Sequence, residues 1–64
     1  MRVSRIKLTT QLIMKDMTGT QLAETSGLSR GTITAVRTGK SCSRATAEKI
    51  AAALGVQLSE LLEG

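Results

Sequence analysis

Sixty-four residues are enough for one domain, and 41% of them are hydrophobic, but Phe, Tyr and Trp are all absent, so any core is built from Leu, Ile, Val, Met and Ala. The lack of His excludes Ser-His and Cys-His nucleophile systems and leaves a zinc site without ligands, the single Cys excludes an internal disulfide, and no apolar run approaches the roughly 20 residues of a membrane span. Net charge is +4, unevenly spread: residues 1–40 carry seven cations against Asp16 and Glu24, whereas residues 41–64 carry Arg44 and Lys49 against three glutamates. That balance fits either a polyanion partner on one face or a plain solvated surface.

With no Pro and no period-two apolar alternation, an all-α fold is predicted, a compact bundle of five short helices in one domain over residues 1–64. A chain this short buries only about 60% of its unfolded surface, so local helix signals carry much of the specification. The first helix is expected from about Arg5 to Asp16, with Ser4 as its cap. Leu8 and Leu12 share a face, with Ile13 close beside, and this face is expected to pack on the rest while Met14 is partly exposed.

Thr18-Gly-Thr-Gln21 then reads as a capping box opening a second helix over about Gly19 to Ser26, with Met17 and Leu22 at hydrophobic-staple positions. The pattern recurs: Ser29 caps a third helix from about Arg30 to Thr38, Leu28 precedes the cap, and Ile33 takes the facing position. Gly27 and Gly39 fall where a helix end needs a left-handed residue. A short helix, a glycine turn and a second short helix over residues 18–39 is the sequence form of a helix-turn-helix, in which the second helix can face a DNA major groove.

A fourth helix opens after Ser43 and ends at Gly55, with Ala47, Ile50, Ala51 and Leu54 as its inward stripe. A fifth is expected over about Leu58 to Glu63, though Gln57 is a poor cap; Val56 and Leu61 make a third staple pair. Its leucines have two uses: Leu58 and Leu61 suit the core, and Leu58, Leu61 and Leu62 are the candidates for contact with a second copy.

The segment Thr18-Gly-Thr-Gln-Leu-Ala-Glu-Thr-Ser-Gly-Leu-Ser-Arg-Gly-Thr-Ile-Thr-Ala-Val-Arg-Thr-Gly-Lys40 resembles the Cro/Xre-type helix-turn-helix family of phage and bacterial repressors, and Lys49 to Leu62 is similar to that family's closing helices. In that pattern Ala23 is small where the two helices come closest, Gly27 takes the turn, and Leu22, Leu28, Ile33 and Val36 supply apolar contacts. Four departures stand out. Ser26 occupies a usually apolar position and is expected to hydrogen-bond locally or leave that contact weak. Leu12 and Arg37 replace a buried ion pair, which frees Arg37 for solvent or phosphate. Gly19 replaces a glutamine that braces a phosphate. Gly31, Thr32 and Thr34 make the third helix a poor helix former on its own.

The resemblance implies sequence-specific binding to double-stranded DNA, most simply as a repressor occupying an operator as a homodimer on half-sites about one helical turn (~34 Å) apart. Arg30 is the first candidate for reading a base, since a guanidinium pairs bidentately with guanine; a phosphate contact or a free surface arginine is the plainer alternative. Gly31 allows close approach of the backbone, and Thr34 and Ala35 offer a hydroxyl and a methyl to base edges, unless all three are merely small exposed residues. Phosphate contacts are expected from Thr18 and Ser29 at helix starts, from Thr38, and from Lys40, Ser43 and Arg44, where the family places backbone contacts. Arg2, Arg5 and Lys7 form either a mobile basic arm or a solubilising surface.

No enzyme activity, cofactor, metal or small-molecule effector is expected. Thr38-Gly-Lys-Ser41 is like the end of a phosphate-binding loop, but Thr34 stands where that motif needs a glycine, and no strand precedes it. Cys42 reads as an incidental loop thiol, which together with the polar residues through positions 1–15 suggests a cytoplasmic protein without membrane association. The competing reading is a protein-interaction module, or an antitoxin that also binds its own operator.

Overall fold

The computed structural model describes residues 1–63. Four helices follow one another: α1 (Arg5–Met14), α2 (Gly19–Ser26), α3 (Arg30–Arg37) and α4 (Arg44–Leu54), and after them comes a single 3-10 turn at Leu58–Glu60. Each helix starts on a hydroxyl: Ser4, Thr18, Ser29 and Ser43 accept from the amides of Lys7, Gln21, Thr32 and Thr46. The capping box at α2 forms in both directions, Gln21 N to Thr18 Oγ1 at 3.1 Å and Thr18 N to Gln21 Oε1 at 2.9 Å. Such caps satisfy amides that have no partner inside the helix, at a gain of typically ~1 kcal/mol each.

The helices also end alike. Met17, Leu28, Lys40 and Val56 each donate an amide back to the carbonyl five residues earlier, on Leu12, Ala23, Ala35 and Ala51. This closure needs a left-handed residue one position before the donor. Gly27 supplies it at φ 75, but after α1 it is Asp16, at φ 52, a residue whose short polar side chain tolerates that region. Because Asp16 leaves helical geometry, α1 stops at Met14, two residues short of expectation.

The core draws on all four α-helices, with Leu8 and Leu12 from α1, Leu22 and Ala23 from α2, Ile33 and Val36 from α3, and Ala47, Ile50, Ala51 and Leu54 from α4, and is completed by Val3 and Leu61. Met17, Leu28 and Val56, the residues that precede the caps, pack against its edge. The face of α1 is narrower than its apolar content suggests. Ile13 is 74% exposed, not packed beside Leu12, because one residue's rotation of about 100° carries it off the buried stripe.

The C-terminal region corrects the expected fifth helix. Instead of continuing to Glu63, the chain leaves its 3-10 turn and runs antiparallel to the N-terminal segment, with a β-bridge between Val3 and Leu62. Ser4 N donates to Leu61 O at 2.7 Å and Glu63 N to Arg2 O, so the Glu63 amide, which a helix would pair internally, and the Leu61 carbonyl are taken by residues 2–4. Val3 is buried, and Cys42 N donates to Met1 O, so the backbone of residues 1–4 is docked on the domain, while Arg5 and Lys7 belong to α1. Docking Val3 is worth roughly 1.5–3 kcal/mol of burial. Val3→Ala is therefore expected to lower unfolding free energy by about 1–2 kcal/mol in a urea titration, and an unchanged midpoint would show the segment to be loosely held.

Candidate nucleic-acid interface

α2, the turn Gly27–Ser29 and α3 form the helix-turn-helix, and the turn is tied to one carbonyl. Ala23 O accepts from Gly27 N, from Leu28 N at 3.1 Å and from Ser26 Oγ at 3.3 Å. Ser26, the polar departure, is satisfied locally by that bond, and its Oγ in turn accepts from Leu28 N. The helices therefore meet at a fixed point. Ala23 is 4% exposed there, its methyl enclosed by the elements packed on α2.

α3 is seated by Ile33 and Val36, both 2% exposed, and turns Arg30, Gly31, Thr34, Arg37 and Thr38 outward. Ala35 is half-buried, so of the four proposed base readers it offers the least surface. Arg30, Thr34 and Arg37 fall at i, i+4 and i+7 and share one face. Spacing alone does not set Arg37 apart from the packing stripe, since it follows Ile33 by four residues; its charge is the signal that it stays outside the core.

The proposed phosphate ligands differ in what they still have to give. Thr38 Oγ1 donates to Ala35 O at 2.9 Å, and Ser43 Oγ donates to Thr46 Oγ1 at 3.0 Å, so each has committed its one hydroxyl hydrogen. Both are exposed, so donating to a phosphate would require each hydroxyl to turn away from its intramolecular partner. Ser29 Oγ and Thr32 Oγ1 share a hydrogen bond at 2.9 Å, whereas Thr18 Oγ1 acts only as an acceptor and keeps its hydrogen. Lys40 is exposed, with no carboxylate partner among the described residues. Arg44 pairs with Glu48, Nε to Oε1 at 2.8 Å, but side-chain exposures of 75% and 54% make it a surface pair worth at most ~1 kcal/mol, readily exchanged for phosphate.

Charge reinforces the geometry. Residues 25–47, which contain the turn, α3 and the loop to α4, carry Arg30, Arg37, Lys40 and Arg44 and no Asp or Glu. Of the leucines expected at a dimer contact, Leu61 is fully buried within the chain and has no surface to offer a second copy. Its carbonyl and side chain are taken up by docking of the N-terminal segment and by the core. Leu58 and Leu62 remain half-buried. Cys42 is free and packs against the core edge. Among the described residues no cluster of metal-ligating side chains is present, and no helix is long and apolar enough to cross a membrane.

A capped helix locked at a glycine turn to a second helix, whose outward face is cationic, defines a helix-turn-helix DNA-binding domain. Residues 7–63 match the Cro/C1-type HTH DNA-binding domain, and the chain belongs to that family. No curated protein matches the chain. Among solved structures, a mutant hydroxyethylphosphonate dioxygenase superposes with a TM-score of 0.88 at 26% identity, and native PhpD with cadmium atoms with a TM-score of 0.85 at the same 26%. In both, the alignment covers 100% of this chain but 14% of the other, so the likeness is to one small part of those proteins.

Proposed function

We propose that the chain binds double-stranded DNA sequence-specifically and acts as a transcriptional repressor, by occupancy and without bond-making. The observation that carries this reading is the outward placement of Arg30, Gly31 and Thr34 on a helix seated by Ile33 and Val36. The N-terminal half of α3 enters the major groove; Arg30 reads a guanine edge, Thr34 and Ala35 lie one turn on, and Gly31 lets the backbone come close. Lys40, Thr18 and an Arg44 released from Glu48 contact backbone phosphates. Blocking a promoter needs no polymerase contact, and the site of action is the cytoplasm, where DNA of a bacterial or phage genome lies.

One α3 spans only a few base pairs, so two copies on adjacent half-sites about 34 Å apart supply the specificity that one lacks. Leu58 and Leu62, both partly exposed, are the leucines left for that pairing.

Arg30→Ala is expected to cost ~1–3 kcal/mol on the preferred duplex and to relax preference at one base pair, whereas Lys40→Ala weakens all duplexes alike and shallows the salt slope by about one unit. Fluorescence anisotropy on the preferred and scrambled duplexes separates the two. Equal weakening of every duplex by Arg30→Ala would reassign that guanidinium to phosphate.

A protein-interaction or antitoxin role is favoured by a different observation. Ile6 and Ile13, seven apart on α1, are 77% and 74% exposed, and Met14 beside them is 70% exposed. Binding through that apolar face would respond little to salt, whereas DNA binding falls by about 0.9 log units per phosphate for each decade of salt.

A further inference from the structure

α1 buries Leu8 and Leu12, yet its solvent side is apolar as well: Ile6, Ile13 and Met14 are the most exposed large hydrophobic side chains of the described residues. On the helical period Ile6, Thr10 and Met14 form one i, i+4, i+8 ridge opposite the buried stripe, with Thr9 and Ile13 beside it. Helix propensity does not account for them, since a β-branched isoleucine favours helix less than the lysine or glutamate that suits a solvent position. The neighbouring cations are drawn off this face. Lys7 Nζ donates to Leu62 O at 2.8 Å, and the Arg5 side chain lies beside Gly39. What remains is an uncharged strip exposing roughly 400 Å² of apolar surface, a size at which a patch is often functional.

We propose that this strip is a self-association surface, on which α1 of a second copy lies antiparallel. The strip is self-complementary. Thr10 stands midway between Ile6 and Met14, so a two-fold axis near it sets Ile6 of each copy against Ile13 and Met14 of the other, and the small threonines at the crossing let the helices approach. Charge selects the direction. Asp16 is the one carboxylate of residues 1–23 and has no cation partner among the described residues. Antiparallel pairing brings it toward Arg2 and Arg5 at the start of the other α1, whereas parallel pairing sets like charges side by side. The pair would cover roughly 800 Å² in total, which defines a weak, concentration-dependent dimer and not a permanent one. The inference rests on the two-copy reading and deepens it, naming a surface with more exposed apolar area than the half-buried Leu58 and Leu62.

The test is sedimentation equilibrium of the whole chain without DNA, from about 10 μM to about 1 mM. The samples are the parent, Ile6→Glu, Ile13→Lys, an equimolar mixture of those two variants, and Leu62→Lys. The parent should show a monomer–dimer equilibrium, each α1 variant should associate roughly tenfold more weakly, and Leu62→Lys should match the parent. The mixture should recover most of the lost association, because antiparallel pairing joins the new acid to the new base at one Ile6–Ile13 contact and leaves the other contact intact. Parallel pairing would spoil both contacts. The two substitutions are exposed and suit the helix dipole, so circular dichroism should show parent helicity; Ile6→Gln and Ile13→Gln replace them if either folds poorly, and both should lose association. A parent that stays monomeric throughout, association lost only in Leu62→Lys, or a mixture no stronger than its components would overturn the proposal. With no duplex present, none of these outcomes bears on the DNA-binding reading, which fails instead if the parent binds no duplex.

Discussion

Ile33→Ala is expected to remove a large share of the chain's unfolding free energy. Removing a buried isoleucine to alanine costs ~2–5 kcal/mol, the upper part of that range applying where neighbours cannot collapse into the space. A 64-residue domain has about 3–10 kcal/mol to lose. Ile33 is 2% exposed and, with Val36, is all that α3 contributes to the core. α3 cannot compensate by propensity: Gly31 and the β-branched Thr32, Thr34 and Val36 all disfavour helix relative to alanine. Loss of the anchor should therefore appear twice, as a drop in unfolding free energy in urea and as loss of duplex binding even where most of the chain is still folded. An Ile33→Ala protein with parent-like stability would mean that α3 is not held by this side chain.

Ala23→Leu should separate binding from stability. Overpacking of a dense interior typically costs ~1–3 kcal/mol, and here it acts at the junction of α2 with α3 and α4. The carbonyl of the same residue accepts the three donors that shape the turn, so pushing α2 outward also disturbs the angle at which α3 is held. Duplex affinity should fall by more than the fraction unfolded accounts for. The control is Ala52→Leu on the exposed side of α4, where added bulk meets solvent and neither quantity should change appreciably. Matching losses in both variants, or unaltered affinity in Ala23→Leu, would show that close approach at Ala23 does not set the presentation of α3.

The helix-turn-helix was legible because its signals are local and redundant. The hydroxyl caps, the capping box, the staple residues and Gly27 each specify the same boundaries, and α2 spans Gly19–Ser26 as expected from them. Ile33 and Val36 could be separated from Arg30 and Thr34 by helical period alone. What escaped was long-range. Nothing near Leu58 signals that residues 61–63 will pair with residues 2–4, because that pairing joins segments nearly sixty positions apart through backbone groups common to all residues. Asp16 escaped for the opposite reason, being one of the few non-glycine residues able to end a helix in left-handed geometry.

The candidate interface was legible as a set of residue types more than as a set of available groups. Which face of α3 points outward follows from period, but that the Thr38 and Ser43 hydroxyls turn to Ala35 O and Thr46 Oγ1 depends on rotamers that sequence does not encode. The nearness of the Arg37 side chain to Gly19 is of the same kind: each residue is readable as a departure from the family pattern, and only the fold brings the two together.

The proposed function turns on α3 being displayed so that Arg30 and its neighbours meet base edges. Selection of bound fragments from a pool of random duplexes, using the whole chain at low ionic strength, tests it most directly. Enrichment of a short motif is expected, repeated with two-fold symmetry at a spacing of about one helical turn, with a guanine at the position that Arg30→Ala relaxes. A recovered pool indistinguishable in sequence from the input would contradict it.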